Sequence, residues 1–250
     1  MLDSAAGVPS RGPSRAGGPT TDGPPDAGGL CSQVDVATIL TATMLVVVAY
    51  LCGSIPFGVL VARLTGLPDP RTVGSGRTGG TNALRALGRK WAVVVVLGDL
   101  AKGVVPVLLA RVLTGQPAIE VACGFAAVVG ASRSIFLRFG GGRGVGTGVG
   151  TMLVIQPAVV ILAAPVFVVV ILVTRYVSLG SLLGTAAAFP AMALVWLIAS
   201  GAVPPAYLVY AAVGPALIWL AHADNIDRLL HGTERKFDLD LLSGGGSRGA

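Results

Sequence analysis

"AVVILAAPVFVVVILVTRYVSLGSLLGTAAAFPAMALVWLIA", from Ala158 to Ala199, carries one charged residue, Arg175, in its whole length. A bilayer core about 30 Å thick is crossed by roughly 20 predominantly apolar residues in a helix. The run therefore reads as two membrane helices, 158–174 and 177–199, that turn at the arginine. Outward from it, the same apolar character recurs at 37–63, 91–112, 118–137, 144–156 and 204–221. In hydrocarbon every backbone group must be bonded within the protein, and these runs are too long and too evenly apolar for the alternating strands of a barrel. The expectation is an all-α, polytopic membrane protein with about seven transmembrane helices. The segment 144–156 is short, roughly 20 Å at helical rise, so it either half-penetrates or tilts into a thinned region.

Composition agrees. Of 250 residues, 53% are hydrophobic and 12% charged, with a mean hydropathy of +0.79, whereas a soluble domain has about 25% charged residues. The net charge of +6 is read as a topology signal, because short cytoplasmic loops gather Lys and Arg. Arg63, Arg71, Arg77, Arg85, Arg89 and Lys90 surround the first loop; Arg133, Arg138 and Arg143 flank the third; Arg175 marks the fifth; Arg228, Arg235, Lys236 and Arg248 follow the last helix. The loops between them hold no Lys or Arg, although Arg111 lies close to one. This alternation puts the N-terminus outside and the C-terminus in the cytoplasm. No basic patch with interleaved aromatics points to nucleic acid.

Residues 1–34 are Gly/Pro/Ser-rich without apolar period and read as a disordered tail, with no secretory signal ahead of the first span. Residues 35–240 form the membrane domain, and 241–250, "LLSGGGSRGA", a flexible end. Cys31, Cys52 and Cys123 are scattered, so neither a metal site nor a disulfide framework is expected.

The unusual polar chemistry falls on the cytoplasmic side. "VGSGRTGGTNALRALG", Val73 to Gly88, has glycines at 74, 76, 79 and 80 that let a turn aim N–H groups at an anion. Ser75, Thr78, Thr81 and Asn82 add neutral hydrogen-bonding groups, and Arg85 a planar fork suited to phosphate. "RFGGGRGVGTGVG", Arg138 to Gly150, sets Gly141, Gly142, Arg143 and Gly144 before a helix start, which favours anions; it lacks the Lys-Ser/Thr pair of a Walker A loop. Either loop can instead be a plain connector or a close-packing device. "HADNIDRLLHGTERK", His222 to Lys236, puts His222 and Asn225 three apart, on one helical face. Histidine suits proton transfer and asparagine can hold a hydroxyl or carbonyl. Within the second span Asp99 and Lys102, also three apart, are expected to neutralise each other. "TRYVSLGS", Thr174 to Ser181, supplies Arg175, Ser178 and Ser181 at another cytoplasmic turn.

Taken in order, "GSIPFGVLVARLTG", "VGSGRTGGTNALRALGRK", "GDLAKGVVPVLLA", "FLRFGGGRGVGTG", "TRYVSLGS" and "HADNIDRLLHGTERKF" resemble the bacterial acyl-phosphate:glycerol-3-phosphate acyltransferases, the PlsY family. The resemblance spans nearly the whole chain after the tail. It implies seven helices in the cytoplasmic (inner) membrane, no cofactor, and transfer of an acyl group from acyl phosphate to the first hydroxyl of glycerol 3-phosphate. It assigns catalysis to Ser75, His222 and Asn225. Substrate binding falls to Gly74, Gly76, Asn82, Arg85, Gly141, Gly142, Arg143, Gly144, Glu234 and Ser178, with Ser181 the alternative to Ser178. The chain departs from the family's motifs at Arg77 (usually Asn), Gly80 (Ala), Ala131 (His), Arg143 (Lys) and Ala221 (Arg). A catalytically lapsed paralogue, or a phosphoanion or lipid transporter, is the alternative.

Overall fold

The computed structural model describes residues 35–199 and 202–238. The two tails read from the sequence, with Cys31 and Arg248, lie outside the described residues. Among the described residues the helices are α1 (Val36–Ser54), α2 (Phe57–Thr65), α3 (Gly80–Leu87), α4 (Arg89–Thr114), α5 (Pro117–Ser132), α6 (Val145–Ile155), α7 (Pro157–Thr174), α8 (Val177–Ala186), α9 (Ala188–Ile198), α10 (Pro205–Ala221) and α11 (Ala223–Leu230). The protein is all-α, as expected.

Proline sets several boundaries that the apolar pattern does not. The run 37–63 is two helices, broken at Ile55–Pro56, because proline lacks the amide hydrogen and keeps the residue before it out of the helical region. The run 177–199 is α8 and α9, joined through Ala187. Pro190, four residues after Ala186, offers that carbonyl no N–H. The run 118–137 stops at Ser132, and the chain then turns back on itself through the Ser134 N–H bond to Gly140 O at 2.8 Å. After α10 the chain bends by 70° into α11.

Four helical stretches are long and apolar enough to cross a membrane: Val36–Ser54, Arg89–Thr114, Pro157–Thr174 and Val177–Ile198, the last being α8 and α9 together. Counting the bent pair α10 and α11 as one span makes five, fewer than the seven expected. The two that fall short are α5, 16 residues, and α6, 11 residues, which extend about 24 and 17 Å. Only 11% of the α7 window is buried, and Ile161, Val169, Leu172 and Val173 point outward. Such a face is costly in water and ordinary against lipid tails.

Helices in lipid associate through close packing, and here small residues make it possible. A methyl group at Gly53 or Gly130 would collide with the backbone of Ala127 or Tyr50, so α1 and α5 meet at those glycines. A methyl at Gly103 would collide with Thr147 O and one at Gly150 with Leu100 O, which brings α6 directly onto α4. The apolar core joins Val107 of α4, Cys123 of α5, Met152 of α6, Val159 of α7, Met192 of α9 and Ala211 of α10. At the end of α4 remote from Asp99, Glu120 Oε2 accepts from Arg111 Nη2 at 2.7 Å and from Tyr207 Oη at 2.9 Å, tying α4, α5 and α10.

Candidate active site

A cavity of about 360 Å³ gathers residues from every motif singled out in the sequence except GSIPFGVLVARLTG, from Gly53 to Gly66. Ser75, Asn82 and Arg85 come from the first loop and α3, Gly142, Arg143 and Gly144 from the second, Ser178 from α8, and His222, Asn225 and Glu234 from the chain after α10. Gly74, Gly76 and Gly141 are not among the lining residues. Gly74 instead shapes the loop, with φ of 53°, a region that favours glycine. Gly141 packs against Ala131 O and Ser132 O.

Asn82 is the brace of the first loop. The two hydrogens of its amide Nδ2 are shared among three carbonyls, Val73 O at 2.9 Å, Arg77 O at 3.0 Å and Pro70 O at 3.1 Å, while Oδ1 accepts from Ser75 N and Arg85 Nη1, both at 3.3 Å. Expected to bind substrate, this side chain is committed to the protein on all sides. Its geometry places the Ser75 and Arg85 groups that face the cavity. Burial, followed by the nearby positive charge of Arg235, lowers the Arg85 pKa from its ordinary value, and a guanidinium, the most basic of side chains, stays charged.

Gly144 caps α6 with φ of 75°, and Val145, Gly146 and Thr147 of the first turn line the cavity. The free N–H groups and the positive end of the helix dipole thus face it. Arg143, beside that turn, has Nη2 at 3.3 Å from Asp224 Oδ2, while its Nε is buried and without a partner. Two more buried groups on the wall are unpartnered, Ser178 Oγ and Asn225 Oδ1. Buried polar atoms are rarely left so, and these three are the hydrogen-bonding capacity a substrate can take up. Ser181, by contrast, returns its hydroxyl to Val177 O at 2.9 Å, which favours Ser178 as the motif serine.

His222 sits at the bend between α10 and α11, 2% exposed, with Nδ1 at 2.8 Å from Ile218 O. That carbonyl fixes the hydrogen on Nδ1 and leaves Nε2 as an acceptor. Burial pushes its pKa down to about 4, so the ring is neutral at neutral pH. Asn225 Nδ2 donates to Glu234 Oε1 at 2.8 Å, and Arg228 Nε to Glu234 Oε2 at 2.9 Å. Glu234, expected among the binding residues, thus orients Asn225.

Four charged contributors were not foreseen as site residues, Arg77, Asp99, Lys102 and Arg235. Asp99 and Lys102 line the cavity as well as pairing at 2.7 Å, as the neutralisation reading expected, with Lys102 Nζ over the Phe57 ring. Their face of α4 is fixed by the Gly103 contact with α6, which no spacing reveals. Arg235 joins from the extended segment after α11, where Phe237 N donates to Arg175 O at 2.6 Å. Cavity-lining Arg77, Arg85, Lys102, Arg143 and Arg235 against Asp99 and Glu234 leave a net of three positive charges.

Residues 43–232 match the family described as glycerol-3-phosphate acyltransferase. The glycerol-3-phosphate acyltransferase of Rubrobacter xylanophilus is 44% identical over 203 residues, covering 81% of this chain and 98% of that protein. That of Geobacter sulfurreducens is 41% identical over 199 residues, covering 80% and 99%. The crystal structure of PlsY, an integral membrane glycerol 3-phosphate acyltransferase, in its glycerol 3-phosphate form superposes with a TM-score of 0.72 at 39% identity, covering 82% of this chain and 99% of that one. On this match of sequence along most of the chain, and of fold, the chain belongs to the glycerol-3-phosphate acyltransferase family.

Proposed function

We propose that the chain transfers an acyl group from acyl phosphate to the sn-1 hydroxyl of glycerol 3-phosphate, giving lysophosphatidic acid and inorganic phosphate for phospholipid synthesis. The observation that carries this is the junction of two unlike cavities. The cationic one adjoins an apolar one of about 260 Å³, lined by Met152, Val159, Ala163, Tyr210, Gly214 and Ile218 among others. The two share Val145, Val149, Phe167 and Ser181. A donor made of a phosphate and a hydrocarbon chain needs that adjacency, with its reacting carbonyl at the boundary.

An acyl phosphate is already activated, so the protein's task is to position two anions and stabilise developing charge. Arg85 with the Ser75 loop, and Arg143 with the α6 N-terminus and Ser178, supply phosphate contacts. Asn225 and His222 orient the hydroxyl. Its oxygen bonds to the acyl carbon, the bond from that carbon to the phosphate oxygen breaks, and phosphate departs with the electron pair. The proton goes to a phosphate oxygen in preference to His222 Nε2. Burial pushes the imidazole pKa down to about 4 and so disfavours the protonated ring, whereas a phosphate dianion takes up a proton near neutral pH.

In the bacterial inner membrane, this reading has the N-terminus outside and the glycine-rich loops cytoplasmic, with residues 35–240 as the catalytic domain between two tails. Seven crossings, counting α5 and α6, are supported by the alternation of Lys and Arg between loops. They are supported too by a length argument. Helices α6 and α7 meet at Gln156, and with 11 and 18 residues respectively they differ by about 10 Å in length. If they run antiparallel, Gly144 lies that much deeper than Thr174, and α6 is short because its start is the floor of a recessed site.

The test is turnover by the purified protein in detergent or vesicles with acyl phosphate and glycerol 3-phosphate. Equimolar lysophosphatidic acid and phosphate are expected. Ligand binding without product would mean a lapsed paralogue, and flux of either substrate across sealed vesicles without chemistry would mean a transporter.

A further inference from the structure

Asp224 is not among the residues lining the cavity, yet its carboxylate is the shared counter-ion of three guanidiniums at the cavity's edge. Oδ1 lies 3.6 Å from Arg77 Nη2, and Oδ2 lies 3.3 Å from Arg143 Nη2 and 3.4 Å from Arg228 Nη2. None of these is the short contact the chain makes where an Arg and a carboxylate pair for structure, 2.6 Å in Arg71–Asp69 and 2.7 Å in Arg111–Glu120. Charge-assisted bonds of full strength run at about 2.7–2.9 Å, so one carboxylate is stretched across three cations and saturates none. The orphaned atoms agree: Arg143 Nε has no hydrogen-bond partner, and neither has Asp224 Oδ1. Burial raises the Asp224 pKa, but Arg143, Arg77 and Arg228 outweigh it and hold the carboxyl below its usual range, so it is ionised at neutral pH.

A phosphate has three terminal oxygens in tetrahedral array and about 1.5 to 2 negative charges at neutral pH. It can give Arg77 and Arg143 an oxygen each, where the two-oxygen carboxylate must be shared. Arg77 is the cation that Asp224 Oδ1 faces, at 3.6 Å. It adds a cation to the cavity wall, and a surplus cation binds phosphate more tightly whether the phosphate arrives on a substrate or leaves as product.

We propose that Asp224 is a positioning counter-ion that keeps Arg77 and Arg143 directed at the cavity and competes with phosphate for them, so that the Arg77–Asp224 pair sets how tightly this site retains phosphate. Binding a substrate phosphate transfers the two guanidiniums from the carboxylate to the phosphate, and releasing inorganic phosphate returns them. Glu234 cannot replace it, because both its oxygens are engaged by Asn225 and Arg228.

This inference rests on the cavity being a phosphate-transfer site, and wild-type turnover tests that separately. Asp224→Asn removes the negative charge at nearly constant size, and Arg77→Asn removes its cationic partner while keeping a polar side chain. Both, with the double variant, are assayed for kcat, for KM toward glycerol 3-phosphate, and for inhibition by inorganic phosphate. The rise in melting temperature on adding inorganic phosphate is measured alongside and needs no turnover. Asp224→Asn should bind phosphate at least threefold more tightly in inhibition and in the thermal shift, and lose kcat as product release slows. Arg77→Asn should bind phosphate more weakly by a similar factor, and the double variant should return to within twofold of wild type. A purely structural Asp224 would instead lower the melting temperature without tightening phosphate. Phosphate binding unchanged or weakened in Asp224→Asn, or in Asp224→Ser should the asparagine variant not fold, overturns the proposal, as does a double variant that binds phosphate as tightly as Asp224→Asn alone.

Discussion

Replacing Asn82 by Ala removes the brace of the first loop while leaving every helix-packing contact described above in place. The amide serves three carbonyls, Pro70 O, Val73 O and Arg77 O, and accepts from the Ser75 N–H and the Arg85 guanidinium. A net hydrogen bond contributes about 1 kcal/mol, and a buried group left unsatisfied costs about 1–3 kcal/mol. The loop is partly open and water reaches some of these groups, so about 3 kcal/mol of loop ordering is the reasonable total. If Ser75 and Arg85 must be held in place to meet a phosphate, that energy appears in kcat/KM as a loss of roughly 100-fold. Asn82→Asp should lose at least as much, because a carboxylate would face three carbonyl oxygens with no hydrogen to offer. The assay is steady-state acyl transfer, paired with thermal unfolding of the same preparations. Were the 3 kcal/mol lost from global stability instead, a protein of this size would melt about 6–12 °C lower. The expected shift is a few degrees at most. Asn82→Ala with near wild-type kcat/KM would refute the bracing role, and a large melting shift with proportionate loss of activity would move that role from the loop to the whole fold.

His222 makes stability depend on mild acid. Its pKa is about 4 in the folded protein against 6.5 as the ordinary value, so the unfolded chain binds the extra proton first as pH falls. The contribution is intact above about pH 6.5 and is lost progressively toward pH 4, for a total of roughly 3 kcal/mol. Melting temperatures across pH 4 to 7.5 should fall on the acid side, with His222→Asn flattening that slope; an unchanged slope in the variant argues against it. Asp69 and Asp224, held below their ordinary range, act only at still lower pH. Gly103→Ala should prevent stable folding or cost about 3 kcal/mol or more, because the added methyl would strike Thr147 O, Thr151 N and the Gly150 backbone rather than a movable side chain. Yield of monodisperse protein and melting temperature check this, with Gly115→Ala, whose methyl meets nothing within 4 Å but whose φ of 60° costs about 1 kcal/mol, as the mild comparison.

The membrane character of this protein was legible from Ala158–Ala199 alone, because hydropathy is additive along a chain and lipid leaves the backbone no choice but a helix. The motif segments were legible too, and all six contribute to the one cavity or its support. What the sequence by itself did not determine was where helices stop. Apolar residues continue through Ile55 and Ala187, and only the lost hydrogen bonds around Pro56 and Pro190 divide the runs. Nor did spacing decide which motif groups face the cavity. Ser178 and Ser181 are three residues apart on one helix face, yet one hydroxyl is free on the wall and the other is spent on Val177 O. Asn82 reads as a ligand in the sequence; in the structure it lines the cavity and also braces its loop, because its partners lie on a chain folded back over it. Asp99 and Lys102 reach the site because Gly103 lets α6 approach α4, and Arg235 because the segment after α11 returns alongside Arg175. Local preferences and hydropathy are properties of short stretches, which a sequence carries openly. Which atoms are left without a partner depends on residues far apart in the chain, and only the packed tertiary structure decides it.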